Sequence, residues 1–140
     1  DSRYPDGMTN ADLNISIPKL DDFMPMMFSD MPVDITAQYI QALNSHDPNQ
    51  VAALYTDQAV HVNPNRSIAG KEQIKAWYRT FFDQLLPNGA FTRTGFTAHG
   101  NSRTFSWTAH SDAGEVHDGN DTFGLMNDKI AYHFTHFNVI

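Results

Sequence analysis

The sequence contains no cysteine. Disulfides, thiolate metal ligands and a cysteine nucleophile are therefore excluded, while the redox compartment stays open. Positive charge is scarce too, since nine Lys and Arg stand against sixteen Asp and Glu for a net charge of -7. No basic run gathers on a predicted helix face. The clustered cations that displace counterions from a phosphate backbone are thus missing, and nucleic acid is not expected as a partner. No apolar run approaches the ~20 residues that a helix needs to cross a bilayer, so the chain reads as soluble, with no membrane partner. Neither a charged n-region nor an apolar h-region follows Asp1, and the three N-x-S/T sequons at Asn14, Asn65 and Asn120 are too short a pattern to decide export. The compartment stays open between the cytoplasm and a processed, exported form.

What the chain does have is an aromatic core in waiting. Hydrophobic residues make up 41% and aromatics 12%, with ten Phe among 140 residues. That length suits one domain burying about two thirds of its unfolded surface. Residues 1 to 33 stand apart. They carry five of the six Met and four of the seven Pro, with no sustained period, and read as an irregular extension whose apolar stretch Phe23 to Met31 would strap over the domain.

Residues 34 to 140 carry regular signals. Asp34 is a good N-cap, and Ile35, Tyr39 and Leu43 fall on one face of a helix running to about Asn44. Asp47, Pro48 and Gln50 open a short helix that buries Val51, Leu54 and Tyr55. A strand from about 58 to 63 ends at Pro64. Ile74, Trp77, Tyr78, Phe81, Phe82 and Leu85 then mark a long amphipathic helix over 71 to 86, closed by Pro87 and Asn88-Gly89. Four strands follow near 90 to 99, 102 to 110, 115 to 126 and 129 to 139, separated by hairpin residues. Helices first and a meander last predict an α+β domain, with three N-terminal helices packed on one face of an antiparallel sheet. Tyr132, Phe134 and His136 share one parity of the last strand and His133, Thr135 and Phe137 the other, so both sheet faces carry aromatics. Burial of the outer face in a homodimer is the simplest resolution.

Tyr39-Ile-Gln-Ala-Leu-Asn-Ser-His-Asp47, Val51-Ala-Ala-Leu-Tyr55, Ala59-Val-His-Val-Asn-Pro64, Gly70 before the aromatic helix, and the closing Lys129-Ile-Ala-Tyr-His-Phe-Thr-His-Phe137 together resemble the NTF2-like superfamily, within it the SnoaL-like and ketosteroid-isomerase-like members. The resemblance spans residues 34 to 139 and implies a cone-shaped, cystatin-like fold, a curved antiparallel sheet packed on three N-terminal helices around one pocket for a small hydrophobic molecule. It is specific for fold and not for activity. It implies that Tyr39 donates a hydrogen bond to a developing oxyanion and that Asp121, kept protonated by an apolar site, donates a second. The position of the isomerases' proton-shuttling Asp is occupied here by Asn63, and an amide takes no proton at neutral pH.

The residues also have readings of their own. Tyr39 on a buried helix face is either a pocket donor or a core Tyr bonded to a backbone carbonyl. Asp121 shares the parity of Phe123 and Leu125, so it is paired, protonated or solvated in a cavity, unless a bulge after Gly119 turns it to water. His61 and His133 can both enter the cavity, as a general base in place of the missing carboxylate or as hydrogen-bonded core histidines. Phe105, Trp107, Phe123, Thr135, Phe137, Trp77 and Phe81 are candidates to line it, although core packing also explains the aromatics. No metal is expected: His133 and His136 point to opposite faces, His110 and His117 lack a third ligand, and Asp118, Asn120 and Asp121 lack the Gly and Glu of a calcium loop. No G-x-S-x-G elbow or phosphate-cradling loop occurs, so no cofactor is expected. The functional expectation is a cofactor-free isomerase, cyclase or dehydratase working by proton transfer, or else a non-catalytic ligand-binding or dimerisation module.

Overall fold

A computed structural model describes residues 34–140. The extension before Asp34, including the strap expected at Phe23 to Met31, lies outside the described residues.

Asp34 caps α1 (Ile35–Ser45) by accepting from the Ala37 amide, and its other oxygen meets the Arg93 guanidinium at 2.8 Å. The helix stops at His46, which takes the left-handed conformation. Asp47 caps α2 (Pro48–Ala52), with Pro48 in the first turn where no amide hydrogen is needed. Because α2 closes at Ala52, Tyr55 does not belong to its buried face. It opens β1 (Tyr55–Asn63), which starts three residues earlier than expected.

A short strand, β2 (Arg66–Ala69), was not anticipated. Asn63 builds the turn that makes it, its Oδ1 accepting from the amides of Asn65 and Arg66 at 2.8 and 3.0 Å. The long helix divides into α3 (Lys71–Thr80) and a π-helical turn over Phe81–Leu85. This wider turn lets consecutive Phe81 and Phe82 both bury. Then come β3 (Ala90–His99), β4 (Ser102–Ser111), β5 (Gly114–Met126) and β6 (Lys129–His136), the last ending three residues short of the expected 139.

The strands form one six-stranded sheet in the order β2-β1-β6-β5-β4-β3. Four pairings are antiparallel, but β1 runs parallel to β6, so the sheet is mixed. Hairpin residues dictate direction only between consecutive strands. β1 and β6 are joined through α3 and the whole meander, so no turn constrains them. Register shifts in the β1–β6, β3–β4, β4–β5 and β5–β6 ladders bend the sheet. On one face, Ile35, Tyr39, Leu43, Ile74, Tyr78 and Phe81 from the helices meet Phe105, Trp107 and Phe123 from the strands in a single core. This is the NTF2-like α+β architecture. On the other face Val60 and Val62 neighbour Tyr132 and Phe134 along the β1–β6 ladder, and Tyr132 is 43% exposed.

Candidate functional site

Strand alternation sends His61 and His133 inward, and the parallel ladder sets them opposite each other with ring centroids 4.5 Å apart. Asp121 on β5 stands between Phe105 on β4 and Thr135 on β6. Tyr39 arrives from α1, Tyr55 from the start of β1 and Tyr78 from α3. All six polar side chains are buried, with Asp121, His61, His133 and Tyr55 at 0% exposure.

Buried polar atoms need partners, and these find them in one another. Asp121 Oδ1 accepts from Trp107 Nε1 at 2.8 Å and from Thr135 Oγ1 at 2.9 Å, while Oδ2 lies 2.6 Å from His133 Nε2. His133 Nδ1 is 2.7 Å from the Tyr55 hydroxyl, which is 3.1 Å from that of Tyr78. Tyr78 also meets the Tyr39 hydroxyl at 2.6 Å and His61 Nε2 at 3.1 Å. At the far end Arg66 Nη1 donates to His61 Nδ1 at 3.1 Å.

The direction of every bond follows from the two ends. Arginine can only donate, so His61 Nδ1 accepts, and a neutral ring then carries its hydrogen on Nε2 and donates to Tyr78. The carboxylate accepts from His133 Nε2–H. His133 Nδ1 then accepts from Tyr55, and Tyr55 from Tyr78. Tyr39, having no other partner in the cluster, donates to Tyr78. The two ends meet at Tyr78 without conflict, so donors point from Arg66 towards Asp121 throughout. Burial, then His133, then Arg66 push the His61 imidazolium far below the ordinary range, which keeps the ring neutral. Burial above all pushes the three phenols well above theirs.

Both Asp121 oxygens are thus committed inside the protein, and no atom is left to donate outward as the resemblance implied. Tyr39 likewise spends its hydroxyl on Tyr78. Asn63 stands apart from this cluster. With Thr135, Phe137, Pro64 and Asn138 it lines an open cleft of about 190 Å³ at the end of β1 and β6. Thr135, 4% exposed, touches both the cleft and Asp121. Phe105 and Phe123 pack edge-on against Tyr39, and Phe81 is core beneath Phe137. Trp107 serves through its N–H, and Trp77 lies under the Arg66 guanidinium, 4.2 Å from centroid to Cζ.

Four contributors escaped sequence reasoning. Tyr55 and Tyr78 looked like apolar helix positions, and Arg66 lay in a strand that was not anticipated. Gly119 sits opposite Trp107, where a Cβ would fall 2.3 Å from the indole. Its bare backbone lets the ring lie across β5 and reach Asp121. A glycine interrupting a strand was the only signal available.

The family model described as the SnoaL-like domain matches residues 36–133. The chain belongs to the SnoaL-like family. No curated protein matches it. Solved structures do, at identities that show the fold alone. An NTF-2-like protein of unknown function from Burkholderia xenovorans aligns at 16% identity and a TM-score of 0.67, over 81% of this chain and 88% of that one. A putative ketosteroid isomerase from Kribbella flavida aligns at 16% and 0.64, over 76% of each chain. SalBIII, an epoxide hydrolase/cyclase-like enzyme of pyran ring formation in the polyether salinomycin, aligns at 15% and 0.65, over 75% and 88%. Three solved structures with different descriptions share this architecture, so the chemistry must be argued from the side chains.

Proposed function

We propose that this SnoaL-like protein binds a small hydrophobic molecule bearing a carbonyl or hydroxyl group and moves a proton on it without a cofactor, as an isomerase, cyclase or dehydratase. The observation that carries this reading is the continuous, buried hydrogen-bonded chain from Arg66 to Asp121, with the Thr135 hydroxyl between its Asp121 end and an open cleft. Buried polar networks are costly to assemble, and sites where titratable groups are gathered this closely are candidates for chemistry.

The substrate enters beside Asn63 and Phe137. Asn63 lines the cleft and its Oδ1 is held by its turn, so its Nδ2 is the group left to donate to the substrate oxygen. Rotation of Thr135 away from Asp121 uncovers Oδ1 as the base, while Trp107 and His133 keep the carboxylate oriented. The proton taken up there returns to a second position on the same substrate. The cleft is smaller than the roughly 300–1,000 Å³ of typical ligand sites, so a compact substrate or a widening of the mouth is required.

The test is deuterium incorporation from D2O into a panel of small β,γ-unsaturated ketones, hydroxy ketones and epoxides, followed by NMR. Asp121→Asn should cut the rate about a hundredfold or more. A second reading, a non-catalytic ligand-binding module, is favoured by the 0% exposure of Asp121 and His133 and by Asn63 in the place of a base. Retention of an unchanged ligand in native mass spectrometry, with no exchange across the panel, would support it. The patch of Val60, Val62, Tyr132 and Phe134 on the outer face is the surface we assign to a homodimer.

A further inference from the structure

Arg66 holds a position that the proton chain does not explain. Its Nη1 is used twice, on His61 Nδ1 and on the His61 carbonyl oxygen at 3.0 Å. Its Nη2 is buried with no hydrogen-bond partner, the one side-chain atom in that condition among the described residues. Native proteins rarely leave a buried donor unmet, and a guanidinium has five donors in a planar fork that suits a carboxylate. The chain carries sixteen acidic residues against nine basic ones. Even so, none of the ion pairs among the described residues includes Arg66.

A cleft of about 340 Å³ opens beside this group, lined by Arg66, Ile68, Gln73, Ala76, Trp77 and Thr80. Its walls are apolar at Ile68, Ala76 and the Trp77 ring, with a primary amide and a hydroxyl at Gln73 and Thr80. Trp77 lies against the guanidinium face and also lines the cleft, so a shift of its ring is the movement that would open the Nε–Nη2 edge, the part of the fork not spent on His61. We propose that Arg66, Trp77 and Gln73 form a binding subsite for a small organic acid, its carboxylate on the Arg66 fork and its apolar body against Trp77 and Ile68. The site shares no lining residue with the Asn63 cleft, and it meets the buried chain at His61, through the two Arg66 bonds and through the Trp77 ring, whose centroid lies 6.0 Å from that of the imidazole. It stands independently of the proton-transfer reading, because it is tested by binding and not by turnover.

The full chain is titrated with sodium benzoate and, separately, with benzamide as the uncharged counterpart, while NMR follows the Arg66 Nε–H and the His61 ring nitrogens. The expected result is a saturable shift of both groups with benzoate, at an affinity at least tenfold above that for benzamide. Arg66→Gln should abolish that preference, and Arg66→Lys should weaken it by losing the fork while keeping the charge. No saturable shift at Arg66 in the unmodified protein overturns the proposal, as would happen if a carboxylate of the chain itself filled the fork. Equal binding of benzoate and benzamide, or a benzoate preference that survives Arg66→Gln, overturns it as well. The comparison of the two ligands needs no variant, so a failure of Arg66→Gln to fold leaves the outcome decided.

Discussion

Replacing Asp121 separates the loss of an acceptor from the reversal of a chain. In Asp121→Ala three donors lose their partner at once, namely Trp107 Nε1, Thr135 Oγ1 and His133 Nε2. A buried donor left unmet costs about 1–3 kcal/mol. Thr135 can turn to the cleft and His133 can change tautomer, so the loss should fall at about 3–5 kcal/mol rather than at the sum. Asp121→Asn keeps the acceptor for Trp107 and Thr135 but presents N–H to His133. The imidazole must then carry its hydrogen on Nδ1 and donate to Tyr55, which turns to Tyr78, which turns to Tyr39. Only the Tyr39 hydroxyl ends without an acceptor, for about 1–3 kcal/mol. Urea unfolding measures both losses, and long-range 1H–15N correlation spectra report the tautomer of His133. Asp121→Ala costing under about 1 kcal/mol, or an Asn variant in which His133 keeps Nε2–H, would refute the reading of the chain.

Stability should depend on pH at both extremes. His61 is neutral when folded, but in the unfolded chain it titrates near about 6.5. The unfolded state therefore gains a proton first as pH falls, and stability present above that value drops by up to about 1.4 kcal/mol per pH unit below it. His61→Gln should flatten the difference in urea midpoint between pH 5 and pH 7, and an unchanged slope would count against a neutral buried His61. The phenols of Tyr39, Tyr55 and Tyr78 are raised, so their contribution holds below the unfolded value of about 10 and is lost above it, steeply because three groups act together. Gly119→Ala should cost about 1–3 kcal/mol by forcing the Trp107 indole off β5, read as a lower melting temperature and a changed indole N–H shift. Tyr132→Glu should turn a dimer into a monomer in light scattering without altering the fold. A wild-type monomer at 100 micromolar, a concentration of about 10⁻⁴ M, would remove the outer-face interface.

The positions of Tyr39, Asp121, His61 and His133 on inward faces were legible in the sequence because helical and strand periods fix which way a side chain points. Their partners were not. Tyr55 lies three residues past the end of α2, within the uncertainty of any boundary, yet that shift moves it from a helix face to the sheet and under His133. Tyr78 satisfied the apolar period of α3 and gave no sign that its hydroxyl would meet those of Tyr39 and Tyr55 and the ring of His61. β2 was hidden because its four residues are too few for a period, and Arg66 went with it. A period reports burial, whereas hydrogen bonds depend on which elements come together.

That difference matters most at Asp121. Its inward position agrees with the family resemblance, but the role implied there required a carboxyl hydrogen directed at a ligand. Here Trp107 can only donate, which fixes one oxygen as an acceptor, and His133 takes up the other. Arginine at one end and a carboxylate at the other then leave a single arrangement in which every hydroxyl between them is satisfied. The opposite arrangement strands Tyr39. A site that must return to the same protonation state after each event gains from having one resting arrangement instead of two. Thr135 is the member that can leave without reversing the rest, since it donates to Asp121 and accepts from nothing in the chain. In the proposed reaction, access to the carboxylate therefore runs through Thr135 and the cleft it shares with Asn63, and not through Tyr39.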